Sequence, residues 1–134
     1  MKSVSGYDIV DTINLYGMER KPIDCVYTGT KVIKSEKLRK GASTLHEFHT
    51  LQDENIKFAA WGFGLLDSLL AGNEDLDRQP VSAGTPVRVM YKGKRSAMID
   101  DVVQEVHDIQ VFDISEEVKN KKITETKLDE LVWL

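Results

Sequence analysis

The chain has 134 residues, 41% of them hydrophobic and 30% charged, with a formal net charge of −4 and a single cysteine. That length suits one domain with an arm or tail and a modest core, and the longest apolar runs are too short to cross a bilayer, so no membrane span is expected. Cys25 has no internal disulfide partner and reads as a small buried apolar residue. The opening MKSVSGYDIV has one lysine, no apolar segment of signal-peptide length and no small-residue cleavage pattern, so the expected location is the cytoplasm.

There is no internal repeat and no low-complexity tract. In chain order, residues 8–18 (DIVDTINLYGM) space Ile9, Ile13 and Tyr16 for one face of a short amphipathic helix ending near Gly17. Residues 23–33 (IDCVYTGTKVI) are rich in β-branched and aromatic residues and predict a first strand, with Gly29 marking a bulge or sharp bend. After a basic connection, residues 44–51 (TLHEFHTL) and 56–61 predict strands two and three, a hairpin closed by the polar turn QDEN. Gly62 and Gly64 punctuate the chain before Leu65, Leu66, Leu69 and Leu70 recur at helical spacing, predicting a short helix over 65–71 closed by Gly72. A loop of about a dozen residues leads to TPVRVMYKG at 85–93, strand four, in which Val87, Val89 and Tyr91 alternate with Arg88, Met90 and Lys92. The acidic stretch RSAMIDDVVQE that follows predicts a longer loop or an extra helical turn, and VHDIQVFDI at 106–114 predicts strand five.

Three strands, a helix and two strands is the order of an all-β fold, the five-stranded OB-fold Greek-key barrel, with its short helix between strands three and four. Residues 1–21 form an N-terminal extension, 22–114 the domain and 115–134 a C-terminal tail or helix. In such a barrel the four leucines would plug one open end, and the bend at Gly29 would let strand one pair on both sides.

Charge is segregated along the chain. Residues 31–40 (KVIKSEKLRK) hold five bases and one acid, 88–95 (RVMYKGKR) hold four bases and no acid, and together they contain half of the 18 bases. These windows fall on the two connections that flank the binding face of an OB barrel. A positive groove along phosphates, with aromatic rings for bases to stack on, is how single-stranded nucleic acid is held. The candidate phosphate contacts are Lys31, Lys34, Lys37, Arg39 and Lys40 on one connection, Arg88, Lys92, Lys94 and Arg95 on the other, and Lys57. The candidate rings are Tyr27, Phe48, Trp61 and Phe112, of which Phe48 and Trp61 are carried into the site. Alternation puts Phe48 with His46 and Thr50 on one face and Trp61 with Lys57 and Ala59 on one face without saying which meets water; the core is the favoured place for Phe48 and Tyr91, and the exposed face for Trp61, since a lysine is rarely buried.

The segments VYTGTKVIKS, HEFHTL, KFAAWGFGLLDSLL, GTPVRVMYKGK and VHDIQVF, in that order over residues 23–112, resemble the compact OB-fold single-stranded-DNA-binding proteins of bacteriophages. The resemblance implies sequence-independent binding of single-stranded DNA in replication, recombination or repair within a bacterial host cell, without catalysis or cofactor. A homodimer is compatible with it. The chain departs from the family's pattern in the acidic turn after Arg95 and in the longer loop GNEDLDRQPVSAG.

Other chemistry is thin. His46 and His49, three apart on a strand, point to opposite faces and make a poor metal site with His107 and Cys25. The carboxylate pairs Asp75 with Asp77 and Asp100 with Asp101 lack a convergent histidine or lysine, no phosphate-cradling glycine motif occurs, and no nucleophile has a base beside it. The end of the chain, LDELVWL, with Leu128, Asp129, Glu130, Leu131, Trp133 and Leu134, supports two readings: an acidic tail with an apolar tip that recruits replication or repair proteins, or a short amphipathic helix whose Leu128, Leu131 and Val132 pack on the barrel or on a second subunit. Two other functions stay open, an OB-fold adaptor that binds proteins through barrel and tail, and RNA binding through the same face.

Overall fold

The computed structural model describes residues 2–4, 7–9, 11–34, 36, 41–120 and 131–134. Strands β1 (Lys2–Val4) and β2 (Tyr7–Ile9) form a small antiparallel hairpin, and β3 (Ile23–Lys34), β4 (Ala42–Thr50), β5 (Lys57–Trp61), β6 (Thr85–Ile99) and β7 (Val102–Asp113) form one antiparallel sheet in the order β5-β4-β3-β6-β7. Two short helices complete the main elements, α1 (Gly64–Ala71) between β5 and β6, and α2 (Ser115–Lys119) after β7. The protein is therefore mostly β, but β5 and β7 do not pair and the sheet is open rather than a closed barrel.

The expected bend in the first long strand is a register shift between Tyr27 and Gly29, where Gly29 has φ 149°. A left-handed backbone of this kind costs glycine little and other residues more. Before the shift β3 pairs with both β6 and β4; beyond it β3 pairs with β4 alone. The hairpin of β4 and β5 turns through Thr50, whose hydroxyl bonds the backbone of Asp53 on both its donor and acceptor sides.

The helix expected over 8–18 is absent. Asp8 and Ile9 belong to β2, residues 11–13 add to the free edge of β5, and only Leu15–Met18 coil, as one 3-10 turn. The Ile13 amide donates to the Ala59 carbonyl at 2.8 Å and the Ala59 amide donates to the Asp11 carbonyl at 3.0 Å. Ile13 and Leu15 are buried while Tyr16 is exposed. An open strand edge offers ready-made backbone partners, and that tertiary gain outweighs a weak helical pattern containing β-branched Thr12 and Ile13 and Gly17.

The fourth and fifth strands are far longer than expected. The acidic stretch after Arg95 is a β-hairpin arm, paired from Gly93 with Asp108 out to Ile99 with Val102, and not a loop or helical turn. Asp100 and Asp101, at φ 51° and 62°, make its two-residue turn, a position where aspartate is better tolerated than most residues.

The main core lies on one face of the sheet. Ile23, Cys25 and Tyr27 of β3 meet Phe48, Phe58, Ala60, Val87, Val89 and Ile109, with Leu66 and Leu70 of α1 closing over them. Leu65 and Leu69 pack partly buried at its margin. Each fully buried leucine of this kind contributes about 1.5–3 kcal/mol of apolar burial. A second, smaller cluster of Ile33, Leu45 and Ala59, with Trp61 against it, occupies the opposite face. Among the described residues no helix is long and apolar enough to cross a membrane.

Candidate nucleic-acid interface

Lys31, Leu45 and Trp61 stand in one row across β3, β4 and β5. Strand alternation sends these three, with Glu47, His49 and Lys57, to the face opposite the main core. Trp61 is half-buried over Ile33, Leu45 and Ala59, Lys57 is exposed at the start of β5, and Lys31 approaches the Glu47 carboxylate at 3.3 Å. Three of the expected nucleic-acid residues, Lys31, Lys57 and Trp61, thus share one sheet face. Lys34 is exposed but alternates to the other face of β3. Lys37, Arg39 and Lys40 lie outside the described residues.

The second cationic window is dispersed. Arg88, expected to contact phosphate, forks onto Asp24, with Nε at 2.7 Å from Oδ1 and Nη2 at 2.9 Å from Oδ2. The Asp24 carboxylate is almost fully buried, and its hydrogen bonds with the guanidinium push the arginine's proton affinity up. Lys94 lies 4.0 Å from Glu105, both exposed, and the exposed Arg95 lies 3.6 Å from the half-buried Asp108, so the arm's cations sit among acids. Lys92 is exposed beside them. Because β6 joins β3 only through Ile23–Tyr27, Lys92–Arg95 run on past Ile23 while Lys31 and Lys34 lie beyond the bulge. The two windows leave the shared strand at its opposite ends.

Phe48 is corrected. It is only 3% exposed and stacks on Phe58 with ring centroids 5.4 Å apart, inside the core, where no base can reach it. Tyr27 and Tyr91 are buried as well, and burial, followed by Tyr16 and Glu19, pushes the Tyr91 phenol up. Phe112, 47% exposed and directly across from Arg88, is the one other candidate ring at the surface.

Beneath the row of Lys31 and Trp61 runs a chain of hydrogen bonds that the sequence did not announce. Asp67 of α1 accepts from the Thr44 hydroxyl at 2.6 Å and meets His46 Nε2 at 2.6 Å; His46 Nδ1 meets the Thr30 hydroxyl at 2.7 Å, and Thr30 meets the Tyr27 hydroxyl at 2.5 Å. His46 is wholly buried. The chain ties α1 to β4 and β3 through polar groups that would each cost free energy if left unpaired. It also explains the glycine before the helix: a Cβ on Gly62 would enter the space of Thr44 Oγ1 and Asp67 Oδ1.

The histidines serve three separate places. His49 Nδ1 meets the Thr50 carbonyl oxygen at 2.8 Å, and His107 Nδ1 meets the Tyr91 hydroxyl at 2.7 Å while its ring stacks on Tyr16 at 4.4 Å. Among the described residues no three His, Cys, Asp or Glu side chains are grouped to hold a metal ion. Burial, with Asp24 alongside, pushes the Cys25 thiol far up, which leaves it inert as a nucleophile.

Residues 131–134 are extended and paired with the chain near residue 13, not part of the expected amphipathic helix. The Asn14 amide donates to the Val132 carbonyl at 2.6 Å, the Leu134 amide donates to the Thr12 carbonyl at 3.0 Å, and Trp133 bridges antiparallel to Ile13. Leu131 is buried, while Trp133 and Leu134 keep exposed side chains. Leu128, Asp129 and Glu130 lie outside the described residues. The chain matches no protein-family model, and no curated protein and no solved structure is significantly similar to it.

Proposed function

We propose that the chain is a non-catalytic single-stranded-DNA-binding protein, acting in phage DNA replication, recombination or repair, whose sheet is an OB-type barrel left open between β5 and β7. The order β5-β4-β3-β6-β7, the glycine bulge in the central strand and the helix after the third long strand support that architecture. The observation that carries the binding reading is the partly exposed indole of Trp61 on the same sheet face as Lys31 and Lys57. A ring for a base, flanked by cations for phosphates, is the minimal arrangement that holds a single strand without reading its sequence.

The test uses a Trp133→Phe chain, so that Trp61 is the sole indole, titrated with oligo-dT at about 50 and about 200 mM salt. Quenching of Trp61 and affinity that falls steeply with salt are expected. Trp61→Ala, read by anisotropy of labelled DNA, should cost about 1–3 kcal/mol of binding. Lys57→Ala should flatten the salt slope by about 0.7. Duplex DNA and oligo-U serve as comparisons. Salt-insensitive or absent binding to oligo-dT overturns the proposal, and a preference for oligo-U moves it to RNA.

A further inference from the structure

The groove between α1 and the β6–β7 arm has a different character from the face that carries Trp61. It holds about 550 Å³ of open space and is walled by Phe63, Leu65, Leu76, Ala97, Ile99 and Val106, a size and apolar lining typical of a binding cleft. Leu76 is 61% exposed at its mouth, and Val102, paired with Ile99, is an exposed apolar residue on the same face of the arm. Contiguous exposed apolar surface of this kind marks an interaction site.

A second observation concerns Ser68, on the helical wall of the groove. The residue is only 8% exposed, and its buried hydroxyl oxygen has no hydrogen-bond partner among the described residues. Such a group costs about 1–3 kcal/mol relative to a satisfied one. Rotation about its χ1 would bring the hydroxyl to the groove, where an occupant's backbone carbonyl or amide would remove the deficit.

Charge identifies the occupant. Glu105 lines the groove, and Glu74, Asp75, Asp77, Asp100 and Asp101 stand beside its lining residues, six acids in all; the bases there are Arg95, which faces Asp108 at 3.6 Å, and the flanking Arg78 and Lys94, while Asp67 is turned away to Thr44 and His46. Acids outnumber bases by six to three around the groove, so its rim is acidic. Nucleic acid would be repelled here. Another copy of the chain is also disfavoured, because inserting its arm would bring Asp100 and Asp101 among the same acids.

We infer that this groove docks a partner protein through a segment that is apolar on one side and basic on the other, independently of the DNA-binding reading. The apolar side chains fill the space between Leu65, Leu76 and Ile99, and the basic ones face the carboxylates of the rim. Attraction of this kind speeds encounter and weakens with salt.

The experiment measures fluorescence anisotropy of a labelled peptide with leucine and lysine at helical spacing (KLLKKLLKKLLKKL) on the full chain, beside a peptide with glutamate in place of lysine. The lysine peptide should bind at least about tenfold more tightly. Leu76→Arg and Ile99→Arg, at exposed positions, should each weaken it about tenfold or more while leaving the circular dichroism spectrum and oligo-dT affinity unchanged. Glu74→Lys with Asp75→Lys, which alters charge alone, should weaken it by a smaller factor and reduce its salt dependence. Amide shift perturbations should centre on Ser68, Leu76 and Ile99. Equal binding of the two peptides, indifference to both leucine and isoleucine variants, or perturbations centred on Lys31 and Trp61 would each overturn the inference. So would concentration-dependent dimerisation that Leu76→Arg abolishes in the absence of peptide binding, which would give the groove to a second copy.

Discussion

Asp24 and Arg88 face each other across β3 and β6, and what separates them from the surface lysines is burial of the carboxylate. Removing the arginine takes the bidentate partner from a poorly solvated carboxylate, a change that costs about 3–5 kcal/mol in a fully buried pair, whereas removing both at once exchanges the pair for apolar packing. The Arg88→Met chain is therefore expected to lose about 3 kcal/mol in urea unfolding, tempered by the partial exposure of the guanidinium. Adding Asp24→Val should recover about half of that loss or more. Both chains should bind oligo-dT as the parent does. A drop in DNA affinity with stability unchanged would instead return Arg88 to the binding face. At this scale the sequence was partly readable. Lys57 and Trp61 could be placed on one face by period-two alternation, because a lysine is rarely buried. The ion pair could not, since Asp24 and Arg88 are 64 residues apart and nothing local marks a buried aspartate.

Elements were legible where their signal is local. The run of β-branched and aromatic residues at 23–33, the glycine within it, and the leucines after Gly64 each describe one strand, one bulge and one helix without help from the rest of the chain. Two elements were not, for opposite reasons. Residues 8–18 have a helical pattern but sit beside the free edge of β5, whose unpaired amides and carbonyls offer more than a marginal helix could. The β6–β7 arm is hidden because its acids read as a loop, although Met98, Ile99, Val102 and Val103 pair across it and the acids are its turn. Since residues 100 and 101 both adopt positive φ, Asp100→Asn with Asp101→Gly supplies the pair of residues that such a turn prefers. The replacement should stabilise the arm by about 0.5–1 kcal/mol, read as slower amide exchange at Ala97, Met98 and Val103, with oligo-dT affinity unchanged. Faster exchange there would mean that the aspartates hold the turn through contacts glycine cannot make.

On the scale of the whole molecule, charge and chain ends are arranged together. Among the described residues, Lys31 and Lys57, which share Trp61's sheet face, lie on β3 and β5, acids gather around the arm and the loop after α1, and residues 131–134 pair with 12–14 at the edge of β5, these in turn pairing with Ala59. That edge is where an open sheet is most vulnerable to unwanted pairing, so the end of the chain has a structural task whatever else it binds. Removing residues 131–134 deletes the buried Leu131, at about 2–5 kcal/mol for loss of a leucine side chain, and two backbone hydrogen bonds at about 0.5–1.5 kcal/mol each. A net loss of about 3 kcal/mol, or about 10 °C in Tm for a domain of this size, is expected in a thermal melt of the truncated chain. Oligo-dT affinity measured well below that melt should stay at the parent value. The opposite pattern, an unchanged melt with tighter DNA binding, would mean that the terminal residues compete with DNA instead of closing the sheet, since a segment that stabilises the fold cannot be removed without cost whereas a competitor can.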